Sequence, residues 1–385
     1  MTARVIAFYL PQFHPIPEND RWWGKGFTEW TNVAKARPLF RRHYQPRIPA
    51  DLGFYDLRLA EVREQQAELA KEAGIEGFCY WHYWFGNGRR ILERPFNDVL
   101  ASGRPDFPFC LAWANHSWSS KTWIQSGKNS ELLIEQIYDG EEDYRAHYDA
   151  VLPAFKDERY IRVDGKPLFV IYDIRAIPDV SFFLNLWRHL AEKDNLPGIH
   201  FVAFSESTSS WRVLPNGEKH RVIPKPDMAT EVFTSLFALG VDAIASSGKN
   251  RAEMLTKGRY SRFFSILLHL LGWDRMQKPY DYRRIIDHFF VKEDSWENVY
   301  PSILPQWDRS PRTGSTYDVY VGSTPALFRE FAVRAISQVK NKKHEHQILF
   351  LRSWNEWAEG NYMEPDQKFG REYIQALRSA LDTIV

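Results

Sequence analysis

The sequence contains little cysteine and no surplus of charge of either sign. Its two cysteines, Cys79 and Cys110, each lie in an apolar run typical of a strand, which argues against a disulfide framework or a cysteine metal site. The 50 basic and 49 acidic residues nearly cancel, so no nucleic acid is expected as a partner. These two absences argue against a small disulfide-rich domain and against a strongly charged binding module.

Long apolar runs and targeting segments are missing as well. No stretch approaches the roughly 20 apolar residues that a membrane-spanning helix needs. The N-terminal residues Met1 to Leu10 lead directly to Pro11 and provide neither the apolar core nor the cleavage site of a secretory leader. The sequence therefore predicts a cytoplasmic protein.

Motifs that bind metals or phosphates are equally absent. The histidines show no HExxH or similar ligand spacing, so no metal is expected. No glycine-rich phosphate turn follows a predicted strand, and no Asp-x-Asp motif is present. We therefore expect an activity that needs no cofactor.

Aromatic residues, in contrast, are abundant. The 15 Trp, 18 Tyr and 26 Phe make up 15% of the chain, which is more than a core of this size requires. Sugar rings have apolar faces and hydroxylated rims, so aromatic side chains interspersed with carboxylates and amides suit a glycan. The alternative is that many of these rings simply fill the core. The composition thus favours a glycan substrate without locating its site.

Short apolar runs alternate with longer amphipathic stretches, such as Leu57 to Ala73 and Ser181 to Glu192. This is the pattern of repeated βα units, and it predicts an α/β fold over residues 1–385: a single-domain (β/α)8 TIM barrel with extended βα loops. A doubly wound open sheet would alternate in the same way, but it would need a phosphate turn. The eight predicted strands are Val5 to Tyr9, Gly77 to Trp81, Phe109 to Trp113, Leu168 to Tyr172, His200 to Phe204, Met228 to Phe233, Pro301 to Pro305 and Ile348 to Ser353.

Aromatic, amide or acidic residues follow nearly every predicted strand. The C-terminal ends of barrel strands open onto one face, where such enzymes have their active sites. Asp308 has an alternative role as an ion-pair partner of Arg309 or Arg312. The candidate substrate-binding residues are Tyr9, Gln12, His14, Trp30, Trp81, His82, Trp113, Asn115, Tyr172, Glu206, Glu231, Trp307, Asp308, Trp354, Asn355 and Trp357.

Two glutamates after the eighth predicted strand are the candidate catalytic residues. Cleavage of a glycosidic bond needs one carboxyl group to protonate the leaving oxygen and a second group to activate a nucleophile or stabilise the charged sugar. Glu356 and Glu359 lie three residues apart, flanked by Trp354 and Trp357. Such a pair shares a face in a turn but not in a strand, so the chain must leave the strand near Asn355.

The surroundings of this pair predict different protonation states. Apolar walls and a like-charged neighbour would raise one pKa, so that one acid is protonated and the other ionised near neutral pH. The alternative is that Glu356 and Glu359 lie at the rim and cap the last helix.

A basic segment, residues 245–279, differs from the rest of the chain. Its Lys and Arg residues surround the apolar run from Phe263 to Leu271. A basic amphipathic helix can lie on an anionic membrane surface or dock a partner. The alternative is an insertion, at about 234–280, that packs on the barrel with its basic face in water. The sequence does not indicate an oligomeric state.

Six ordered motifs run through the chain: Phe8 to Pro15, Gly26 to Trp30, Leu111 to Asn115, Pro305 to Asp308, Trp354 to Gly360 and Glu364 to Pro365. They resemble motifs of WbsX-like proteins, which are bacterial, are associated with surface-polysaccharide genes and are similar to glycoside hydrolase family 99. The resemblance runs from about Arg4 to Leu377. It implies a metal-independent (β/α)8 barrel that acts on glycans.

The resemblance also implies roles for the two glutamates. Family 99 enzymes are endo-acting α-mannosidases that retain configuration and use an Asn-Glu-Trp-x-Glu-Gly motif. By this analogy Glu356 would deprotonate the sugar 2-hydroxyl, which would attack its own anomeric carbon. Glu359 would protonate the leaving oxygen and later activate water.

Three functions are consistent with these features. The first is a glycoside hydrolase, endo-acting and retaining, which uses paired acids and aromatic subsites. The second is a glycosyltransferase of O-antigen or capsular polysaccharide assembly. The third is a glycan-binding barrel without catalysis, because a fold alone guarantees no activity.

Overall fold

Eight parallel strands close into a barrel, which confirms the predicted (β/α)8 fold. The structure is a computed structural model and describes residues 3–120, 131–213, 219–257, 278–316 and 318–383. Consecutive strands pair in parallel, and the last strand pairs with the first from Arg4↔Ile348 to Ala7↔Leu351, which closes the sheet. The strands are β1 (Arg4–Tyr9), β2 (Gly77–His82), β3 (Phe109–Trp113), β4 (Lys166–Ile171), β5 (His200–Glu206), β6 (Ala243–Ser247), β7 (Val299–Ile303) and β8 (Ile348–Leu351).

Helices connect these strands: the longer ones surround the barrel, and short ones lie in the loops at its C-terminal end. Their bounds are Pro17–Trp23, Glu29–Lys35, Ala60–Ala73, Arg94–Ser102, Gly140–Phe155, Val180–Lys193, Ala229–Phe237, Tyr282–Asp287, Ser310–Thr313, Pro325–Val339 and Glu372–Thr383. Residues 249–257 are also helical. The short strands outside the barrel are Trp118–Ser119, Leu132–Ile134, Arg162–Val163, Trp211–Val213, Lys219–Arg221, Tyr280–Asp281, Tyr320–Val321, Asn355–Glu356 and Asn361–Tyr362.

Local sequence explains where two of the helices begin and end. Helix Ala60–Ala73 ends at Gly74, whose φ of 80° lies in the left-handed region that glycine adopts without strain. Helix Val180–Lys193 begins where the Asp179 carboxylate accepts a hydrogen bond of 2.9 Å from the backbone N–H of Phe182. Both helices agree with the amphipathic stretches in the sequence.

The sixth strand differs from the prediction. Met228 to Phe233 belongs to helix Ala229–Phe237, whose buried residues Ala229, Val232, Phe233 and Leu236 repeat at helical spacing. The strand is β6, which is fully buried and consists of small residues and one isoleucine. Because small and polar residues give a weak apolar signal, the neighbouring helix was the stronger pattern.

Strand β6 lies inside the stretch 234–280 that the sequence presents as an insertion, so part of that stretch belongs to the barrel itself. Residues 258–277 lie outside the described residues, and the proposed membrane or partner contact of segment 245–279 stays a prediction. In the described part of the chain, no helix is both long and apolar enough to span a bilayer.

Candidate active site

A cavity of about 210 Å³ opens at the C-terminal ends of the barrel strands. Its wall combines aromatic rings with charged and amide groups, the mixture that suits a hydroxylated ring with apolar faces. The aromatic residues that line it are Phe8, Trp81, Tyr83, Trp118, Tyr172 and Phe204. The polar and charged residues that line it are Gln12, His116, Arg309, Arg312, Arg352, Glu356 and Glu359.

The aromatic side of the cavity is a continuous stacked wall. Phe8 stacks on Trp81 with ring centroids 4.8 Å apart, and Trp81 meets Tyr172 edge-on at 5.8 Å. Tyr172 stacks in turn on Phe204 at 5.5 Å with nearly parallel planes. The wall therefore offers flat apolar surface along one side of the cavity.

Strand alternation decides which aromatic residues reach this wall. Successive side chains of a strand point to opposite faces. Phe8 points into the barrel, whereas the Tyr9 hydroxyl donates a hydrogen bond of 2.7 Å to Gln66 of the surrounding helix Ala60–Ala73. Trp81 and His82 also point to opposite faces. Trp81 lines the cavity, whereas His82 is buried with its Nε2 2.9 Å from Nε2 of His147, in helix Gly140–Phe155.

The segment that carries the two glutamates leaves the barrel after β8 and folds back on itself. Asn355–Glu356 pairs antiparallel with Asn361–Tyr362, and Trp357–Glu359 between them forms a single 3₁₀ turn. Gly360 follows with a left-handed φ of 55°. Because the chain turns here, both carboxylates lie in the wall of one cavity, as predicted for a pair that leaves the strand near Asn355.

Buried side chains fix this segment to the first strand. The Asn355 amide accepts from the backbone N–H of Leu10 at 2.8 Å and donates to the carbonyl of the same residue at 3.0 Å. The Trp357 indole donates to the buried Glu364 carboxyl at 2.6 Å, and its ring stacks on Tyr362 at 3.8 Å. The position of each glutamate is thus set by a neighbouring residue of the motif.

Arg312 is the central cation of the site. It donates to Glu359 at 2.6 Å and to Glu356 at 3.0 Å, so one guanidinium bridges the two acids. Two further bonds, of 2.6 and 3.0 Å, reach Glu29, which is fully buried. Arg309 adds a second positive charge, with its Nε 3.0 Å from Glu359.

The two acids have different pKa values, in the direction that the sequence predicts for such a pair. Burial raises the pKa of Glu356 to about 7. The negative charge of Glu359 also raises this pKa, and the positive charge of Arg312 lowers it, but less than burial raises it. Burial also favours the neutral form of Glu359, but the charges of Arg312 and Arg309 outweigh it and lower its pKa. At neutral pH Glu359 is therefore ionised while Glu356 is partly protonated.

Five of the predicted site residues line the cavity, and two more lie close to one of its arginines. The five are Gln12, Trp81, Tyr172, Glu356 and Glu359. The two more are Glu206, whose carboxylate lies 4.0 Å from Nη1 of Arg352, and Trp307, whose ring centroid lies 6.0 Å from Cζ of Arg352.

Most of the remaining predicted residues are buried behind the cavity rather than in its wall. Trp30 donates to the Tyr55 carbonyl at 2.8 Å, and Trp113 donates to the Trp84 carbonyl at 2.9 Å. Asn115 bonds the backbone of Asp173. These residues position the cavity wall. The buried set is Tyr9, His14, Trp30, His82, Trp113, Asn115, Asp308, Trp354, Asn355 and Trp357.

Two of the predicted acids have other surroundings. Glu231 lies on an exposed position of helix Ala229–Phe237, because the predicted sixth strand is a helix. Asp308 is fully buried and accepts hydrogen bonds of 2.8 Å from His43 and Gln45, with Arg47 at 3.6 Å. Its arginine partner is therefore Arg47, and the alternative pairing with Arg309 or Arg312 that the sequence suggested is wrong.

Sequence reasoning missed the cations of the cavity. Arg309, Arg312 and Arg352 all follow barrel strands, but arginines at strand ends are also common surface residues. The signal in the sequence that could have identified two of them is that Arg309 and Arg312 directly follow the predicted site residue Trp307 after β7. In the described part of the chain, no three His, Cys, Asp or Glu side chains are grouped as metal ligands.

Comparison with known proteins shows the family to which the chain belongs. The sequence model of the family described as "Glycosyltransferase WbsX" matches residues 5–377. The chain belongs to the WbsX family. Two relatives from strains of Xanthomonas campestris pv. campestris, each called "Uncharacterized protein WxcX", are 33% identical over 384 residues. The match covers 99% of this chain and 50% of each relative, so the chain spans about half the length of the curated relatives it matches.

Solved structures are similar in fold. A glycoside hydrolase-like protein is 15% identical with a TM-score of 0.58, over 99% of this chain and 94% of that one. The family 99 endo-α-mannosidase of Bacteroides thetaiotaomicron, in complex with BIS-TRIS propane, is 13% identical with a TM-score of 0.56, over 99% and 96%. These likenesses support the barrel and confirm the resemblance to family 99 at the level of fold.

Proposed function

We infer that the chain is a glycan-active enzyme, a retaining and endo-acting glycoside hydrolase that cleaves a bacterial polysaccharide or oligosaccharide. One observation carries this proposal. Glu356 and Glu359 lie together in an aromatic-walled cavity, joined by Arg312, and their pKa values are shifted in opposite directions. A proton donor and an ionised carboxylate in one cleft are what glycoside hydrolysis needs. The likeness to a family 99 endo-α-mannosidase supports endo action, and the resemblance of the motif from Trp354 to Gly360 implies retention.

The electrostatics favour one division of labour between the two acids. Glu356, with a pKa of about 7, holds a proton that it can give to the leaving oxygen. Glu359 stays ionised because Arg312 and Arg309 lie beside it. This division is the reverse of the one that the resemblance to family 99 implies.

The reaction then proceeds in two steps. The proton of Glu356 moves to the glycosidic oxygen as the bond from that oxygen to the anomeric carbon breaks. Glu359 attacks the anomeric carbon, or takes the proton of the 2-hydroxyl so that its oxygen attacks instead. In the second step the Glu356 carboxylate takes a proton from water, whose oxygen bonds to the anomeric carbon. The bond from that carbon to Glu359 breaks, or the 1,2-anhydro ring opens and its 2-oxygen takes the proton back from Glu359.

New reducing ends are the direct test. The protein is incubated with bacterial polysaccharides and with oligosaccharides that contain mannose or rhamnose, and reducing ends are measured. We expect Glu356→Gln and Glu359→Gln to lose activity, while Glu61→Gln, on the exposed start of helix Ala60–Ala73, keeps it. Equal activity of wild type and Glu359→Gln on every substrate would refute the assignment.

Glycosyl transfer is the second candidate, since the family is described as a glycosyltransferase. Three arginines in the cavity wall are compatible with a phosphorylated leaving group. Release of nucleoside diphosphate from a sugar donor tests this reading. If both Gln variants bind glycan normally and no turnover is found with any donor or polymer, a binding barrel without catalysis is the remaining function.

A further inference from the structure

Two of the three arginines in the cavity wall are engaged by protein carboxylates. Arg312 donates four hydrogen bonds to Glu29, Glu356 and Glu359. Arg309 lies between Glu359 at 3.0 Å and Asp318 at 3.5 Å. Their charges are therefore used within the site.

Arg352 differs in its distance from carboxylates. Its Nη1, like the Nε of Arg309, is buried and has no hydrogen-bond partner among the described residues, but Glu359 lies only 3.0 Å from that Nε. The nearest carboxylate, Glu206, is 4.0 Å away, beyond hydrogen-bond distance. Glu206 already accepts from the Ser247 hydroxyl at 2.8 Å and from the backbone N–H of Asn250 at 3.1 Å. A buried guanidinium nitrogen without an acceptor is costly, and because Arg352 lines the cavity, a ligand there can supply the acceptor.

The location of Arg352 relates it to the aromatic wall. Its Cζ lies 4.5 Å from the ring centroid of Phe204, the ring on which Tyr172 stacks. A sugar bound against Trp81 and Tyr172 would therefore share the cavity with Arg352. Planar guanidinium groups suit carboxylate and phosphate oxygens in particular.

A second unpartnered group lies at the same cavity. Both amide atoms of Gln12 are fully buried and have no hydrogen-bond partner among the described residues, and the side chain lines the cavity. An amide can donate to one sugar hydroxyl and accept from another. Gln12 and Arg352 together thus offer an amide for neutral hydroxyls and a cation for a charged substituent.

We propose that the sugar unit bound in this cavity carries an anionic group, a carboxylate or a phosphate, which Arg352 binds. The proposal rests on the proposed function for the identity of the ligand as a glycan. It adds that the charged substituent, rather than the ring alone, determines which glycan is accepted. Uronic acids and phosphorylated sugars are the two sources of such a group.

Binding measurements test the proposal without requiring turnover. Titration calorimetry compares methyl α-glucuronide with methyl α-glucoside, methyl α-galacturonide with methyl α-galactoside, and glucose 1-phosphate with glucose. We expect one charged ligand at least to bind roughly tenfold or more tightly than its neutral partner. Arg352→Gln should remove this preference and leave the affinity of the neutral ligand unchanged, and Arg352→Lys should keep part of it. Arg334→Gln, a surface variant, serves as the control.

Each outcome has a distinct meaning. A preference for uronides alone identifies a carboxylated sugar, and a preference for the phosphate alone identifies a phosphorylated one. Equal binding within all three pairs, or a preference that persists in Arg352→Gln, overturns the proposal. If charged ligands are preferred but no polysaccharide is cleaved, the hydrolase function fails while the anionic subsite stands.

Discussion

The substitution Arg312→Gln should destabilise the protein, and more strongly at alkaline than at acidic pH. Arg312 is buried and donates four hydrogen bonds to three carboxylates. Removing one partner of a buried ion pair costs roughly 3–5 kcal/mol of unfolding free energy, because the other charge is left without compensation. We therefore expect a loss of that size near pH 8.

The pH dependence follows from the pKa of Glu359. A carboxyl group whose pKa is lower in the folded than in the unfolded protein stabilises the fold above its unfolded pKa. Glu359 belongs to this class because of Arg312 and Arg309, although burial acts against them. Without Arg312, burial would raise its pKa, and a raised pKa makes the fold less stable as the pH rises. The loss in Arg312→Gln should thus be small near pH 5 and grow towards pH 8.

Urea unfolding at several pH values measures this difference. The matched control is Arg334→Gln, because Arg334 forms an ion pair of 3.1 Å with Asp287 on the surface, where both side chains are more than one-third exposed. Its loss should be about 1 kcal/mol or less and should not depend on pH in this range. If Arg312→Gln behaves like this control, the shared arginine does not set the charge states of the two acids.

Three further predictions concern residues around the same segment. If Glu356 is the proton donor, activity falls as the pH rises above about 7, and Glu356→Gln slows poor leaving groups by roughly 10²- to 10⁴-fold but nitrophenyl glycosides much less, as steady-state kinetics can show. Glu364→Gln should cost about 1–3 kcal/mol in urea unfolding, since the carboxyl accepts three buried hydrogen bonds. Its effect should be larger at pH 5 than at pH 8, because burial raises the pKa of Glu364 to about 7 and the wild type itself loses stability on ionisation. Gly360→Ala should lower the melting temperature more than Gly322→Ala: both have positive φ, but only at Gly360 would the new Cβ lie 2.7 Å from the Asp308 Cβ.

The sequence was informative wherever a strand was marked by large apolar residues. β1, β2, β3 and β8 are rich in Phe, Leu, Ile and aromatic residues, and their positions agree with prediction. β6 contains mostly alanine and serine, so tertiary burial rather than local pattern makes it a strand. The fold class was still predictable, because seven of eight strands suffice to show the βα repeat.

The candidate site was predictable in part. The spacing of Glu356 and Glu359 located the pair, but not the cation between them. Arg312 comes close only because Ser310–Thr313 folds as a short helix beside the 3₁₀ turn, a contact that no local pattern encodes. Strand-end aromatic residues such as Tyr9 and Trp113 were assigned to the cleft because the sequence does not reveal which face of each strand is inside.

The side-chain amide of Asn355 forms hydrogen bonds with both the backbone N–H and the carbonyl of Leu10, which lies 345 positions earlier in the chain. During synthesis on the ribosome this contact can form only after β8 has emerged. The two carboxylates therefore cannot be positioned before β8 has paired with β1 and β7 and closed the barrel. Acquisition of activity would then report the closure of the barrel, and a pulse-labelled nascent chain halted before residue 348 would be inert even though seven of its strands were already made.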